Sequence, residues 1–76
     1  MTTVEVIFGA VIRRLREEKG TSQEEFAAMA GVHRTYMSSI ELGKVVVSIS
    51  VAEKLAIALD LPLSKIWKKV EMEQAK

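Results

Sequence analysis

One stretch of the chain decides the fold: Gln23-Glu-Glu-Phe-Ala-Ala-Met-Ala-Gly-Val-His-Arg-Thr-Tyr-Met-Ser-Ser-Ile40. Ala27 is small enough for two helices to cross closely, and Gly31 lacks the Cβ atom that opposes the positive φ of a sharp turn. Met37 and Ile40 follow at a spacing that anchors a second helix on the rest of the domain. The stretch therefore predicts two short helices joined by a tight turn, with the outer face of the second helix directed away from the core.

The second of these helices has a polar outer face. Thr35, Ser38, Ser39 and Leu42 lie roughly opposite its apolar anchors, and Arg34 flanks its N-terminal end. This spacing is that of a helix-turn-helix, whose second helix can enter the major groove of DNA. An arginine can bind O6 and N7 of guanine bidentately, and a threonine can bind a base edge or cover a thymine methyl group. We therefore expect base contacts from Arg34, Thr35, Ser38 and Ser39, with the two serines also able to reach a phosphate. For Arg34 the alternatives are a phosphate contact and a surface ion pair with an acid.

Helical patterns continue on both sides of this stretch. A capping box at Ser22 to Glu25 opens the second helix, and Pro62 suits the first turn of a fifth. The expected helices are Val4 to Lys19, Ser22 up to Gly31, His33 to Glu41, Ile49 to Asp60, and one after Pro62 that carries Ile66, Trp67 and Val70 toward a polar tail. The prediction is a single all-α domain over residues 1–76, with a core from about 8 to 70 and a tail from 71 to 76.

Composition narrows the functional classes. The chain has 76 residues, a net charge of +1, 49% hydrophobic residues and no cysteine. We expect a soluble cytoplasmic protein without a membrane segment, held together by packing and by self-association. No paired carboxylates, no histidine beside a nucleophile and no phosphate-cradling glycine loop can be assembled, which argues against an enzyme. The single histidine, His33, has no companion ligands for zinc. Neither a cofactor nor a small-molecule ligand is expected.

Several runs taken together resemble the phage-repressor and Cro-like (XRE-type, lambda-repressor-like) helix-turn-helix family. They are Ile12-Arg-Arg-Leu-Arg-Glu-Glu-Lys-Gly20, Ser22-Gln-Glu-Glu-Phe-Ala27, Ala30-Gly-Val-His-Arg-Thr-Tyr36, Ser39-Ile-Glu41 and Gly43-Lys44. Within that family, the Phe8-Gly9 start and the opening His33-Arg34-Thr35-Tyr36 look most like controller proteins of restriction-modification systems. The resemblance covers about Phe8 to Trp67. It implies five helices and a homodimer that binds inverted-repeat operators in double-stranded DNA, and in the controller circuit also contact with RNA polymerase.

The resemblance also suggests roles for single residues. Gln23 holds a position that usually meets a phosphate, with a solvated helix-start residue as the alternative, and Glu41 matches a structural residue. From the residues themselves, and not from the resemblance, Tyr36 is expected either to pack its ring at the domain edge or to donate its hydroxyl to a phosphate, and His33 either to cap its helix or to contact a phosphate. The candidate phosphate contacts are Ser22, Gln23, His33, Tyr36 and Lys44. Two departures from the family pattern are the apolar linker Val45-Val46-Val47 and the apolar, outward Leu42.

Apolar residues outside the helical stripes suggest a dimer seam. Ile57 shares a helix face with polar residues, which invites a partner. The predicted seam consists of Ile57, Leu61, Ile66 and Trp67, with the Val45 to Val47 run as a further contributor; scattered surface residues are the alternative. The basic residues of the first helix, Arg13, Arg14, Arg16 and Lys19, are expected to form a solvated face with Glu17 and Glu18, with some steering of DNA by Arg13 or Arg14.

The sequence thus predicts a dimeric, sequence-specific DNA-binding regulator that acts on a pseudo-palindrome with half-sites about ten base pairs apart. The alternative is an antitoxin-like protein-interaction module on the same fold. That module would use the apolar linker and the fifth helix to bind a partner protein.

Overall fold

Five helices make up the fold in a computed structural model, which describes residues 2–76. They are α1 (Val4–Lys19), α2 (Gln23–Ala30), α3 (Arg34–Glu41), α4 (Ile49–Ala58) and α5 (Leu63–Gln74). No strand occurs among the described residues, and the predicted all-α, five-helix class is confirmed. The main difference lies at the C-terminus, where α5 continues through the segment expected as a tail. In this segment the Glu73 carboxylate accepts a hydrogen bond from Lys76 at 3.2 Å and lies 3.5 Å from Arg14 of α1.

Capping groups set the helix boundaries around the turn. The Ser22 hydroxyl accepts a hydrogen bond from the backbone N–H of Glu25, and the Glu25 carboxylate accepts one from the backbone N–H of Ser22, both at 3.1 Å. This reciprocal pair is the predicted capping box. Gly31 ends α2 with φ 71°, and its N–H bonds back to carbonyl oxygens of the last turn. The chain can therefore reverse between two helices of only eight residues each.

The core contains residues from every helix. Its largest fully buried side chains are Phe26, Ile12, Met37, Ile40, Leu55, Ile66, Val11 and Val70. α1 packs against α3 and α5, while α2 packs against α3 and α4. Helices of two turns are unstable alone in water, so α2 and α3 depend on this packing. Ile66 is fully enclosed in the core, and its predicted place in a dimer seam is therefore wrong.

The linker between α3 and α4 alternates between core and solvent. Val45 and Val47 are partly buried against the core, whereas Val46 between them is 79% exposed. Only Val46 of the predicted Val45 to Val47 run is therefore presented fully to a partner.

Candidate nucleic-acid interface

Helix α3 is anchored by its inner face and leaves its outer face open. Met37 and Ile40 are essentially inaccessible to solvent, at 0% and 1% exposure. On the other side Arg34 and Thr35 are exposed, and Ser38 and Ser39 are partly buried. The structure therefore places all four predicted base-contact residues together on or beside the open face. Their contacts with DNA stay a prediction.

Arg34 has a nearby acidic neighbour, as the alternative of a surface ion pair predicted. Its guanidinium lies 4.0 Å from the carboxylate of Glu24 on α2, and both side chains are largely solvent-exposed, at 66% and 78%. An exposed ion pair at this distance contributes little to stability. Glu24 is thus a loose counter-ion, and Arg34 keeps the freedom to take another partner.

The five predicted phosphate contacts lie in different environments. Ser22, His33 and Lys44 are exposed, Gln23 is partly buried, and the ring of Tyr36 is partly buried against the core. His33 occupies the N-cap position of α3, but its side chain makes no capping hydrogen bond. The ring packing expected for Tyr36 is therefore present, and the side-chain cap expected for His33 is not.

A buried ion pair lies beneath this surface. Arg16 of α1 donates from Nε to Glu41 Oε2 at 2.7 Å and from Nη2 to Glu41 Oε1 at 3.0 Å. The two side chains are only 11% and 3% exposed. Arg16 also donates to the carbonyl oxygen of Thr21 at 2.8 Å. The hydrogen bond to Glu41 raises the pKa of Arg16, against the opposing effect of burial.

The expected solvated face of α1 is therefore only partly correct. Arg13 pairs with Glu17 at 3.3 Å one helical turn away, as the spacing predicted. Arg16 instead turns inward to the carboxylate at the end of α3, because Glu41 is buried there and requires a counter-charge. Glu41 thus has the structural role that the resemblance implied.

A third residue joins this pair. Gln23, at the first turn of α2, donates from Nε2 to Glu41 Oε1 at 3.1 Å.

The Arg16–Glu41 pair forms part of the wall of an open depression of about 320 Å³. The depression is lined by Arg13, Arg16, Gln23, Ser38, Glu41 and Leu42. Leu42 is 54% exposed, in line with the outward position predicted for it. Sequence spacing gave no signal for the Gln23–Glu41 contact, since 18 residues separate the two.

The remaining members of the predicted dimer seam do not all gather on one surface. Trp67 is 45% exposed and lines an apolar groove of about 310 Å³. The groove residues are Val4, Glu5, Phe8, Val46, Val47, Ile49, Ala52, Leu63 and Trp67. Ile57 is 71% exposed but does not line the groove, and Leu61 is partly buried against the core. Val46 and Ile49, at 79% and 84% exposure, are the most exposed apolar side chains of the groove.

Residues 2–76 contain no group of three or more histidine or acidic side chains arranged to hold a metal ion. In the same part of the chain, no helix is both long enough and apolar enough to cross a bilayer.

The chain is similar to control proteins of restriction-modification systems. It is 42% identical over 74 residues to Control protein C.MunI from a Mycoplasma species, covering 96% of this chain and 100% of the relative. It is 40% identical over 57 residues to Control protein C.BamHI from Bacillus amyloliquefaciens, covering 74% of this chain and 70% of that one. The crystal structure of the restriction-modification controller protein C.AhdI from Aeromonas hydrophila matches with a TM-score of 0.78 and 41% identity, covering 80% of this chain and 92% of that one.

These similarities confirm the resemblance found in the sequence. A family model described as helix-turn-helix matches residues 12–66, which include α2, the turn and α3. The chain belongs to the helix-turn-helix family.

Proposed function

We propose that this protein is a sequence-specific DNA-binding transcription regulator that controls a restriction-modification system. The observation that carries the proposal is the open face of α3, where Arg34 and Thr35 are exposed while Met37 and Ile40 fix the helix from behind. A rigid helix with forked and short polar side chains on its outer face suits the edges of bases in the major groove. The similarity to proteins named control proteins over almost the whole chain supports the biological setting.

In this proposal Arg34 and Thr35 set sequence preference, and Ser38 and Ser39 add contacts along the same helix. Ser22, Gln23, His33, Tyr36 and Lys44 bind backbone phosphates, which fix the register of the protein on the duplex. The ion pair between Arg34 and Glu24 does not prevent DNA binding by Arg34, since a weak exposed pair exchanges readily for a guanine or a phosphate.

We further propose that the active species is a homodimer assembled through the apolar groove. One eight-residue recognition helix reads only a few base pairs, so a second, symmetry-related helix extends the site to a pseudo-palindrome. The groove supplies Val46, Ile49 and Trp67 as exposed apolar contacts, and exposed apolar surface of this kind favours association. Ile57 and Leu61 lie outside this revised interface.

The test is selection of bound sites from a random pool of duplexes with the purified protein. We expect an enriched pseudo-palindrome with half-sites about ten base pairs apart and an affinity that falls steeply with salt. Enrichment of no sequence over the starting pool would contradict the proposal.

We also propose regulation in both directions, on the basis of the similarity to control proteins. In the controller setting, a dimer on one site recruits RNA polymerase, and a second dimer bound beside it blocks the promoter. Transcription in a reconstituted system with a template that carries the selected site should rise and then fall as protein concentration increases. A fall alone would remove polymerase recruitment from the proposal, and a rise alone would remove the block by a second dimer.

A further inference from the structure

The Gln23 side chain is held in one orientation by a buried acid. Glu41 Oε1 accepts the hydrogen bond from Gln23 Nε2 at 3.1 Å. An ionised carboxylate only accepts hydrogen bonds, so the amide nitrogen of Gln23, and not its oxygen, faces Glu41. The second N–H of the same amide remains available, and Gln23 is only partly buried. The side chain is therefore fixed with a donor left over.

The acid itself is fixed and neutralised. Arg16 contacts both oxygens of Glu41, at 2.7 and 3.0 Å, and is tied in turn to the carbonyl oxygen of Thr21. Charge-assisted hydrogen bonds of this two-point kind are strong and geometrically specific. A buried carboxylate near DNA would ordinarily repel the phosphate backbone. Because Glu41 is paired with Arg16, the pair has little net charge and this repulsion is small.

We propose that Glu41 is a positioning residue for DNA binding, which orients the Gln23 amide so that its second N–H donates to one backbone phosphate. The inference rests on the proposed function and adds a cause for the phosphate contact of Gln23. Without the carboxylate, the amide is free to turn over and present its carbonyl oxygen, which a phosphate rejects. Arg16 contributes indirectly, because it holds Glu41 in place.

This role predicts that removal of an acid will weaken DNA binding, which is the opposite of the usual effect. Removing an acid from a DNA-binding protein normally strengthens binding, because the negative duplex is repelled less. Glu41→Gln should instead weaken binding, although it makes the protein more positive. Glu18→Gln is the matched control, since Glu18 is an exposed acid on α1, and it should leave affinity unchanged or slightly increased.

Single phosphates provide the decisive readout. Each phosphate of the selected half-site is replaced in turn by a neutral methylphosphonate, and binding is measured for wild type, Gln23→Ala and Glu41→Gln. The phosphate bound by Gln23 is the one whose replacement costs wild type about tenfold, the value of one hydrogen bond to a charged group, and costs Gln23→Ala nothing further. At that phosphate the penalty for Glu41→Gln should also fall below the wild-type value, because an amide at position 41 can either accept from or donate to the Gln23 amide and so no longer fixes its orientation. A purely structural role would lower affinity equally at every phosphate and leave this penalty intact.

A second variant covers the case in which Glu41→Gln fails to fold with Arg16 left unpaired. Arg16→Met combined with Glu41→Leu replaces the whole pair by apolar side chains, an exchange that buried ion pairs often tolerate. Circular dichroism and thermal unfolding confirm that it is folded, and the phosphate scan is repeated. Loss of the Gln23-specific penalty in a folded variant supports the proposal; its retention overturns it.

The scan also separates this inference from the proposed function. If wild type binds the selected site preferentially but no phosphate loses its penalty in Gln23→Ala, the positioning role is wrong and the regulator remains. If wild type prefers no sequence at all, the proposed function fails first and the positioning role fails with it.

Discussion

Gly9 of α1 lies against the carbonyl oxygen of Ile40 in α3 so closely that a Cβ atom on residue 9 would overlap it. The same Cβ would lie 2.9 Å from the carbonyl oxygen of Glu41. The two helices therefore cross backbone against backbone at the end of the proposed recognition helix. This crossing sets how far α3 stands out from the body of the domain.

Replacing Gly9 should reveal this close approach. Glycine inside a helix costs about 1 kcal/mol relative to alanine, so Gly9→Ala would stabilise an unconstrained helix. Here the added methyl group meets backbone atoms that cannot rotate away, and overpacking of this kind costs about 1–3 kcal/mol. We expect a lower free energy of unfolding in urea titrations monitored by circular dichroism. An increase would show that α1 and α3 are not in such close contact.

Arg34→Ala should change which sequences are bound as well as how tightly. A bidentate arginine–guanine pair discriminates by about 1–3 kcal/mol, so preference at one base pair of each half-site should flatten. Binding to single-base operator variants measures this effect. Unchanged discrimination at every position would rule out base reading by Arg34.

Lys44→Ala is the comparison for a phosphate contact. Lys44 is exposed and follows the end of α3. Its replacement should weaken binding about equally for all operator variants and reduce the salt dependence by about one counterion. A change of base preference in this variant would mean that the two roles have been assigned the wrong way round.

Two isoleucines of α4 distinguish the apolar groove from the seam predicted by sequence. Ile49 lines the groove and Ile57 does not, although both are highly exposed, at 84% and 71%. Ile49→Asp introduces a charge into the proposed interface without harming the helix, because an acid is favourable in a first turn. We expect this variant to sediment as a monomer at micromolar concentration. Ile57→Asp should remain dimeric, and the reverse result would place the dimer contact at Ile57 and not at the groove.

The capping box of α2 should make stability depend on pH. Hydrogen bonds from Ser22, first from its backbone N–H and then from its hydroxyl, lower the pKa of Glu25 below its ordinary value of 4.5. A carboxyl whose pKa is lowered by folding contributes stability above its unfolded pKa, and this contribution is lost as the pH falls through the folded value. Glu25→Gln should therefore lower the free energy of unfolding at pH 7, with a difference from wild type that shrinks below pH 4.5.

Glu24→Gln is the matched variant for this measurement. Glu24 lies in the same first turn as Glu25 and shares the favourable interaction with the helix dipole, but only Glu25 bonds to Ser22. Urea unfolding at a series of pH values should show a larger effect for Glu25→Gln. Equal effects of the two variants would mean that the dipole, and not the capping box, is responsible.

The helices were predictable because their signals are local. The box at Ser22 and the turn at Gly31 each depend on neighbours within a few residues, and both occur where the sequence placed them. Met37 and Ile40 were identified as anchors by their spacing alone, and their burial also fixed which side chains of α3 face outward. The open face of the candidate site followed from the same periodicity.

The features that could not be predicted from the sequence depend on contacts between distant segments of the chain. The sequence predicts that Arg16 lies on a solvated face because nothing near it in the chain signals Glu41, 25 residues away. Ile66 and Trp67 are adjacent, and only the packing of α5 shows that the first is enclosed while the second is half open. The sequence predicts a polar tail from residue 71, whereas α5 continues to Gln74 and its last turn contacts Arg14, which is far away in the chain.

The neighbouring residues Phe8 and Gly9 serve two different surfaces of the protein. Phe8 lines the apolar groove, and Gly9 meets the backbone of α3. Successive side chains of a helix differ in direction by about 100°. The single helix α1 therefore contributes to both surfaces and fixes their orientation relative to each other. In a dimer joined through the groove, any roll of α1 would change the relative tilt of both recognition helices, so the tolerated spacing between operator halves is built into the register of one helix.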